Sequence, residues 1–317
     1  MKKLSIVIPT YNRASYVCEN VKSLLPQLEN YGDKVELMIC DNASDDNTEA
    51  LIAKIIPNYP TIKYIRHCEN LGAHANFYYG VEHACGEYVV LLGDDDMLSP
   101  YFCNTILHIL EDFPVDIINF NYLQIKNAGT MLSLFDKNNY NKGIAIYDGA
   151  GFIQTIWDRA SFMTSNVFKR DLMLKGMKEC YHEDCYGYDW FLCLLYGIKD
   201  SKCAIHYDFP LAIQCVADNR TIPYWSLFSI VGIGNVYKYL DNYIPGVWLR
   251  WQKFTRSEYK SFLGKICSAN IGKKQAFSHA KEYNEHFTYK KEKWLFNIAL
   301  HVDRLTMKVI KIFIELL

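Results

Sequence analysis

The sequence has almost no charge imbalance. Its 34 Lys and Arg stand against 35 Asp and Glu, a formal net charge of −1. That excludes a nucleic-acid binder held by bulk electrostatics. There is no C-x-x-C pair among its 11 cysteines, an odd number, so no zinc site is expected and the scattered thiols suit a reducing cytosol. Cys40, Cys85 and Cys193 lie inside apolar runs and are expected to be small buried hydrophobes. No apolar stretch reaches the roughly 18 residues that a spanning helix needs. No signal peptide is expected ahead of "LSIVIP". These absences lead to the expectation of a cytoplasmic protein, able at most to lie peripherally on the cytoplasmic face of the inner membrane. One further lack is local: the turn after the first strand, "PTYNRAS", contains no glycine. Dinucleotide-binding folds need a glycine-rich turn there, so that backbone amides can approach a pyrophosphate. NAD and FAD are excluded on that ground.

What is present is enough for one large domain or two small ones. The chain has 317 residues, half of them hydrophobic. Aromatics make up 15%, with 24 Tyr, and are expected to line a ligand groove or a membrane-facing surface.

Apolar patterning predicts strands over residues 4–8, ended by Pro9, then 35–40, 62–66 and 88–92. Between them the spacing predicts three helices. The first buries Val17, Val21, Leu24, Leu25 and Leu28, the second covers about 48–56, and the third is closed by Gly86. Strand and helix alternate at short spacing, so the fold class is α/β with a mixed, mostly parallel sheet flanked by helices. Ligands in such sheets sit beyond the carboxyl ends of the strands. Polar clusters fall at those ends: Thr10-Tyr11-Asn12, then Asp41, then Asp94, Asp95 and Asp96 after Gly93.

Three adjacent carboxylates at a strand end repel one another and resist burial. A divalent cation with a preference for hard oxygen ligands offsets them and brings phosphate oxygens with it; a solvated acidic turn ahead of the next helix is the alternative. Tyr11 can stack on a base, or be a half-buried loop aromatic. Asp41 can accept the imide hydrogen of uracil or thymine, or cap a turn.

Four motifs, "LSIVIPTYNR", "ICDNASDDNTE", "ENLGAHAN" and "GEYVVLLGDDDMLSP", together resemble the N-terminal motifs of glycosyltransferase family 2 over about the first 100 residues. The resemblance implies a GT-A fold and inverting transfer from a nucleotide-diphosphate sugar. It assigns Pro9, Thr10, Tyr11 and Asp41 to the nucleotide. Asp94, Asp95 and Asp96 go to ribose, diphosphate and a Mn2+ or Mg2+ ion. Spacing to Pro100 favours Asp95 for the metal, with Asp96 next. Asn70 and Gly72 match the loop bordering the nucleotide. Two departures stand out: Phe77-Tyr78 replaces a common Arg-Asn pair, and Gly93 stands where many members begin the acidic motif with aspartate.

Further on, "YHEDCYGYDWFLCLLYG" offers a general base. Asp189 precedes Trp190 and an apolar run, matching the family's late acidic motif; Asp184 is the second candidate, and a helix-capping role for Asp189 is the alternative. His182 and His206 are left outside the site, and Arg220 is read as solvated. Residues 1–222 are expected to form the transferase domain, with 1–100 the nucleotide half and 101–222 the acceptor half. Residues 223–317 read as a helical extension. Its last segment, "KKEKWLFNIALHVDRLTMKVIKIFIELL", reads as an amphipathic helix that lies on a membrane or packs on protein, leaving oligomeric state open.

The expected function is transfer of a sugar, from a UDP or dTDP donor, to a glycan or lipid-linked oligosaccharide in bacterial polysaccharide or lipopolysaccharide synthesis. A sugar-nucleotide pyrophosphorylase is the competing enzyme, although "PTYNRAS" lacks its glycine-rich basic loop. A catalytically inactive nucleotide-sugar or glycan-binding protein is the other reading. No nucleic-acid partner is expected.

Overall fold

A computed structural model describes residues 2–126, 130–134, 143–156, 159–183, 185, 187–216, 225–254 and 294. Strand β1 (Leu4–Thr10) is central and buried along its whole length. It pairs in parallel with β2 (Val35–Asp41) on one side and with β4 (Tyr88–Leu91) on the other, while β3 (Ile62–Arg66) extends the sheet beyond β2. Parallel strands covered on both faces need largely apolar runs, which β1, β2 and β4 have; β3 is only partly buried. β1 runs through Pro9 rather than stopping before it. The reason is geometric. Thr10 O accepts a bond from the β2 side and Val7 O accepts one from Leu92 on the β4 side, so Pro9 faces the β4 side, past the last β4 partner. Its missing N–H costs no ladder bond there.

Beyond β4 the sheet becomes mixed. Its order is β3-β2-β1-β4-β9-β6-β10-β5, with β5 Met97–Leu98, β6 Ile117–Lys126, β9 Asn166–Lys169 and β10 Ala204–Val216. β9 runs antiparallel to both β4 and β6, whereas β6 and β10 are parallel. Two short strands lie off this path, β7 (Thr130–Leu134) on β6 and β8 (Ile144–Tyr147) on β10. The strand ends that carry Thr10, Asp41 and Asp94 therefore share one edge.

Helix α1 (Ala14–Tyr31) buries Val17, Val21, Leu24 and Leu28 against β1, together with Phe102 and Ile106 of α4 (Phe102–Asp112). α2 (Thr48–Ile52) is shorter than its sequence suggested, because the chain tightens into a 3-10 turn containing Pro57. On the opposite face α3 (Ala73–His83) comes so close that a Cβ on Gly80 would lie 2.4 Å from Val7 Cγ1. α5 (Gly149–Ile156), α6 (Arg170–Cys180), α7 (Asp189–Ile198) and α8 (Trp225–Leu240) follow along the chain.

The chain divides into two compact units. One comprises Met1–His182 and Trp190–Asp218, the other Glu183–Asp189 and Asn219–Leu317. No helix among the described residues is long and apolar enough to cross a membrane. The C-terminal amphipathic segment expected from the sequence lies outside the described residues except for Trp294, which is exposed; Asp184 and Arg220 also fall outside them. Cys40 and Cys193 are buried, but Cys85 is exposed. It sits just after α3, where the chain turns into β4, rather than inside either element.

Glu36 is a charged group buried inside the sheet. It accepts hydrogen bonds from Ser5 Oγ and the Cys85 amide and pairs with Lys63 at 2.8 Å. Burial alone would raise its carboxyl pKa. Lys63, Ser5 and the Cys85 amide outweigh that and hold it below the ordinary value. Its stabilisation is therefore present above the unfolded-state pKa and lost as pH falls through the depressed folded value. Glu36→Gln is expected to cost about 2 kcal/mol at pH 7. Urea unfolding should show the gap from the parent narrowing as the pH drops below about 4.

Candidate active site

The shared strand edge is built from two stitched loops. After β1, Asn12 N donates to Ser44 Oγ at 2.9 Å, and Asn12 Oδ1 accepts the Asp45 amide at 2.9 Å. Asp46 binds the amides that open two helices, Ala14 of α1 at 2.9 Å and Thr48 of α2 at 3.0 Å. The two loops cannot move independently. Each also carries a non-glycine residue in left-handed backbone, Asn12 at φ 54° and Ala43 at φ 62°. Asn tolerates this conformation; Ala43 is held there against its preference.

The acidic corner sits against the first of these loops. Thr10 Oγ1 donates to Asp94 Oδ2 at 2.8 Å, and Arg13 Nη1 bridges Asp94 Oδ1 at 3.1 Å and Asp95 Oδ2 at 2.8 Å. Burial pushes the Asp94 carboxyl up to about 6, even though Arg13 and Thr10 pull it down; the neighbouring Asp95 adds to the rise. Asp96 turns the other way. It is buried, and its Oδ2 accepts Thr164 Oγ1 at 2.6 Å. The same oxygen would lie 2.6 Å from a Cβ on Gly93, so the glycine at this position and the inward aspartate belong together.

α1 fastens the corner from below. Asn20 Nδ2 donates to the carbonyls of Asp96 at 2.8 Å and Gly93 at 3.2 Å, and Gln27 binds the Ser99 carbonyl and the Cys103 amide. Both residues interrupt the apolar stripe of α1 at helical spacing, a signal present in the sequence. Thr164 also accepts the Gly93 amide at 3.1 Å; no sequence pattern marked it. Arg13 ends the first motif, "LSIVIPTYNR", and nothing in that pattern marks it as a partner of the aspartates.

The remaining nucleotide candidates divide between the edge and the interior. Asp41 pairs with Thr10 in register and is fully buried. Its Oδ1 accepts the Ser44 amide at 2.9 Å and its Oδ2 accepts the Tyr64 hydroxyl, while burial and this carboxylate push the Tyr64 phenol up. Asn70 Oδ1 accepts the Asn42 side chain and the Gly72 amide, each at 2.8 Å. Gly72 itself sits at φ 85°, a conformation that favours glycine. Tyr11 is 44% exposed at this edge, and Pro9 is buried within β1.

Asp189 is the first residue of α7 and accepts the Cys185 amide at 2.7 Å, four residues upstream. Trp190 is buried against Phe191, which makes it a packing residue. Tyr78, standing at one of the sequence departures, is a core residue whose hydroxyl lies 3.4 Å from Cys193 Sγ. His206 is satisfied inside the protein, with Nδ1 2.8 Å from Asn119 Oδ1 and Nε2 2.9 Å from Asp208.

Among the described residues, no group of three or more His, Cys, Asp or Glu side chains is arranged to hold a metal ion. Asp94 and Asp95 instead present two adjacent carboxylates. That is the usual protein share of a Mg2+ or Mn2+ site that substrate phosphates complete, so the donor set fits such an ion.

A curled α/β sheet with an acidic turn beyond its fourth strand defines a GT-A architecture. The family model for glycosyl transferase family 2 matches residues 5–155. Abequosyltransferase RfbV of Salmonella typhimurium is 41% identical over 97 residues, 30% of this chain and 29% of that protein. A Campylobacter jejuni protein named GalNAc(5)-diNAcBac-PP-undecaprenol beta-1,3-glucosyltransferase is 26% identical over 188 residues, 59% of this chain and 57% of its own length. Both matches span less than two thirds of the relative. Among solved structures, S. aureus TarS 1-349 in complex with UDP-GlcNAc superposes with a TM-score of 0.68 at 14% identity, covering 94% of this chain and 87% of that one. The mannosyltransferase PcManGT from Pyrobaculum calidifontis, in complex with GDP-Man and Mn2+, gives 0.51 at 15% identity, covering 96% and 87%. At these identities the likeness establishes the fold.

Thr164→Val should leave a buried Asp96 oxygen and the Gly93 amide without a partner. It is expected to lower stability by about 2 kcal/mol, read by urea unfolding. Thr164→Ser, which retains the hydroxyl, should recover most of that loss.

Proposed function

We propose that the protein is an inverting glycosyltransferase. It moves a sugar from a nucleoside-diphosphate donor to a hydroxyl of a glycan or lipid-linked glycan. The observation that carries this reading is the junction of Thr10, Arg13, Asp94 and Asp95 at the carboxyl ends of two adjacent parallel strands. Buried carboxylates gathered there need a cationic ligand, and a diphosphate brings a metal ion with it. Solved structures with the same fold hold UDP-GlcNAc, UDP and GDP-Man, which supports a nucleotide donor.

In this reading Thr10 and Asp94 fix the donor's ribose and diphosphate end. Asp94 and Asp95 hold the cation, and Asp96 shapes the turn. A bound Mg2+ or Mn2+ ion supplies charge neutralisation for the departing diphosphate. Asp41 sets the nucleotide loop through Ser44 and Tyr64, and Tyr11, Asn70 and Gly72 border the base. The donor base is uracil or thymine in this reading, which the UDP-GlcNAc and UDP complexes of a structure with this fold support. Asp189 removes the acceptor hydroxyl proton as the oxygen attacks the anomeric carbon from the face opposite the leaving group, which inverts it. The names of the relatives support a place in bacterial surface-glycan assembly and an undecaprenyl-linked acceptor. In this reading the enzyme works at the cytoplasmic face of the membrane.

Thermal melting with UDP-, dTDP- and GDP-sugars, each with and without Mn2+, checks the donor class. One donor plus metal should raise the melting temperature, and turnover should release nucleoside diphosphate; release of free pyrophosphate would contradict transfer. Asp189→Asn should cut turnover by about 10²–10⁴-fold while keeping the donor-induced shift. Full turnover in that variant would remove Asp189 from the role.

A further inference from the structure

We infer that Arg13 is a built-in counter-cation for the acidic corner, and that it makes divalent-cation binding depend on the donor's diphosphate. This deepens the proposed function and rests on its metal and diphosphate reading.

One nitrogen serves two carboxylates. Arg13 Nη1 lies 3.1 Å from Asp94 Oδ1 and 2.8 Å from Asp95 Oδ2. The aspartate side chains are 11% and 21% exposed, so water screens them poorly. Two ionised neighbours in that setting require a cation, and Arg13 is the cation seen on both. A metal ion drawing on those same carboxylates would meet the guanidinium head-on, since both are positive and both need the same oxygens. Arg13 therefore has to let go before an ion is held well.

It is built to let go. Its side chain is 46% exposed, and it stands just ahead of α1, in the loop that follows β1. The Thr10 bond remains on Asp94 Oδ2 when Arg13 leaves Oδ1. What draws it off is an anion with matching geometry. A guanidinium takes paired phosphate oxygens through its fork of N–H groups. A nucleoside diphosphate at this edge supplies such oxygens to Arg13 and to the metal at once. Linkage then makes each ligand raise the other's affinity by the same factor. In its absence the corner stays neutralised by Arg13 and takes up little metal.

Mn2+ binding, followed by the electron paramagnetic resonance signal of free ion, tests this without any reading of activity. The full chain would be compared with Arg13→Gln, Arg13→Met and Arg13→Lys, each alone and with UDP, GDP or dTDP. The parent should bind Mn2+ weakly alone and tightly with one nucleotide. The two neutral variants should bind Mn2+ alone about ten-fold or more tighter than the parent, with a smaller further gain from nucleotide. Arg13→Lys, which keeps the charge, should stay near the parent. Neutral variants that bind Mn2+ no better than a parent responsive to nucleotide would overturn the role of Arg13 and leave the donor site standing. Failure of every chain to bind Mn2+ with any nucleotide would instead overturn the metal and diphosphate reading, and this inference with it. If both neutral variants failed to fold, the contact would be structural and the inference would also fall.

Discussion

Carboxylates crowded at the end of a buried strand must be neutralised, and the geometry of this molecule follows from how that is done. β4 delivers Asp94 and Asp95 to the edge of a sheet whose interior admits little water. Arg13, arriving from the loop after β1, offsets their charge, while Thr10 and Thr164 satisfy oxygens of Asp94 and Asp96. Parallel pairing of β1 with β4 sets the spacing that allows the Thr10 bond. The corner is thus a product of sheet register as much as of its acidic residues.

The surrounding structure holds that corner rigid from several directions. α1 contributes two amide side chains, Asn20 and Gln27, that bind backbone around the acidic turn. Asp46 ties the openings of α1 and α2 together. Asp41, spent on Ser44 and Tyr64, anchors the second loop.

Much of this was legible from the chain itself. Fully buried parallel strands have to be largely apolar runs, so β1, β2 and β4 could be read directly, as could the polar residues at their ends; β3, half-exposed beyond β2, showed in its Ile62, Tyr64 and Ile65. The amphipathic stripe of α1 was equally plain. What escaped were matters of pairing across space. Asp94, Asp95 and Asp96 are chemically alike in sequence, and the Thr164 hydroxyl that binds the inward-turned last one lies 68 residues on. Arg13 looked like an ordinary loop cation because its partners lie 81 and 82 residues away. Cys85 seemed to belong to an apolar run, but the run breaks at that point between helix and strand, which leaves the thiol exposed. β5, two residues long, exists only because β10 is there to receive it.

The central claim is that this acidic edge grips a nucleoside diphosphate through a shared cation. Crystals grown with UDP and Mn2+ and measured at the manganese absorption edge test it most directly. The account requires an anomalous peak about 2.1 Å from oxygens of Asp94 or Asp95, with diphosphate oxygens on the same ion and the uridine lying toward Tyr11. A peak and nucleotide bound elsewhere, with the Arg13 bridge to both aspartates intact, would contradict it.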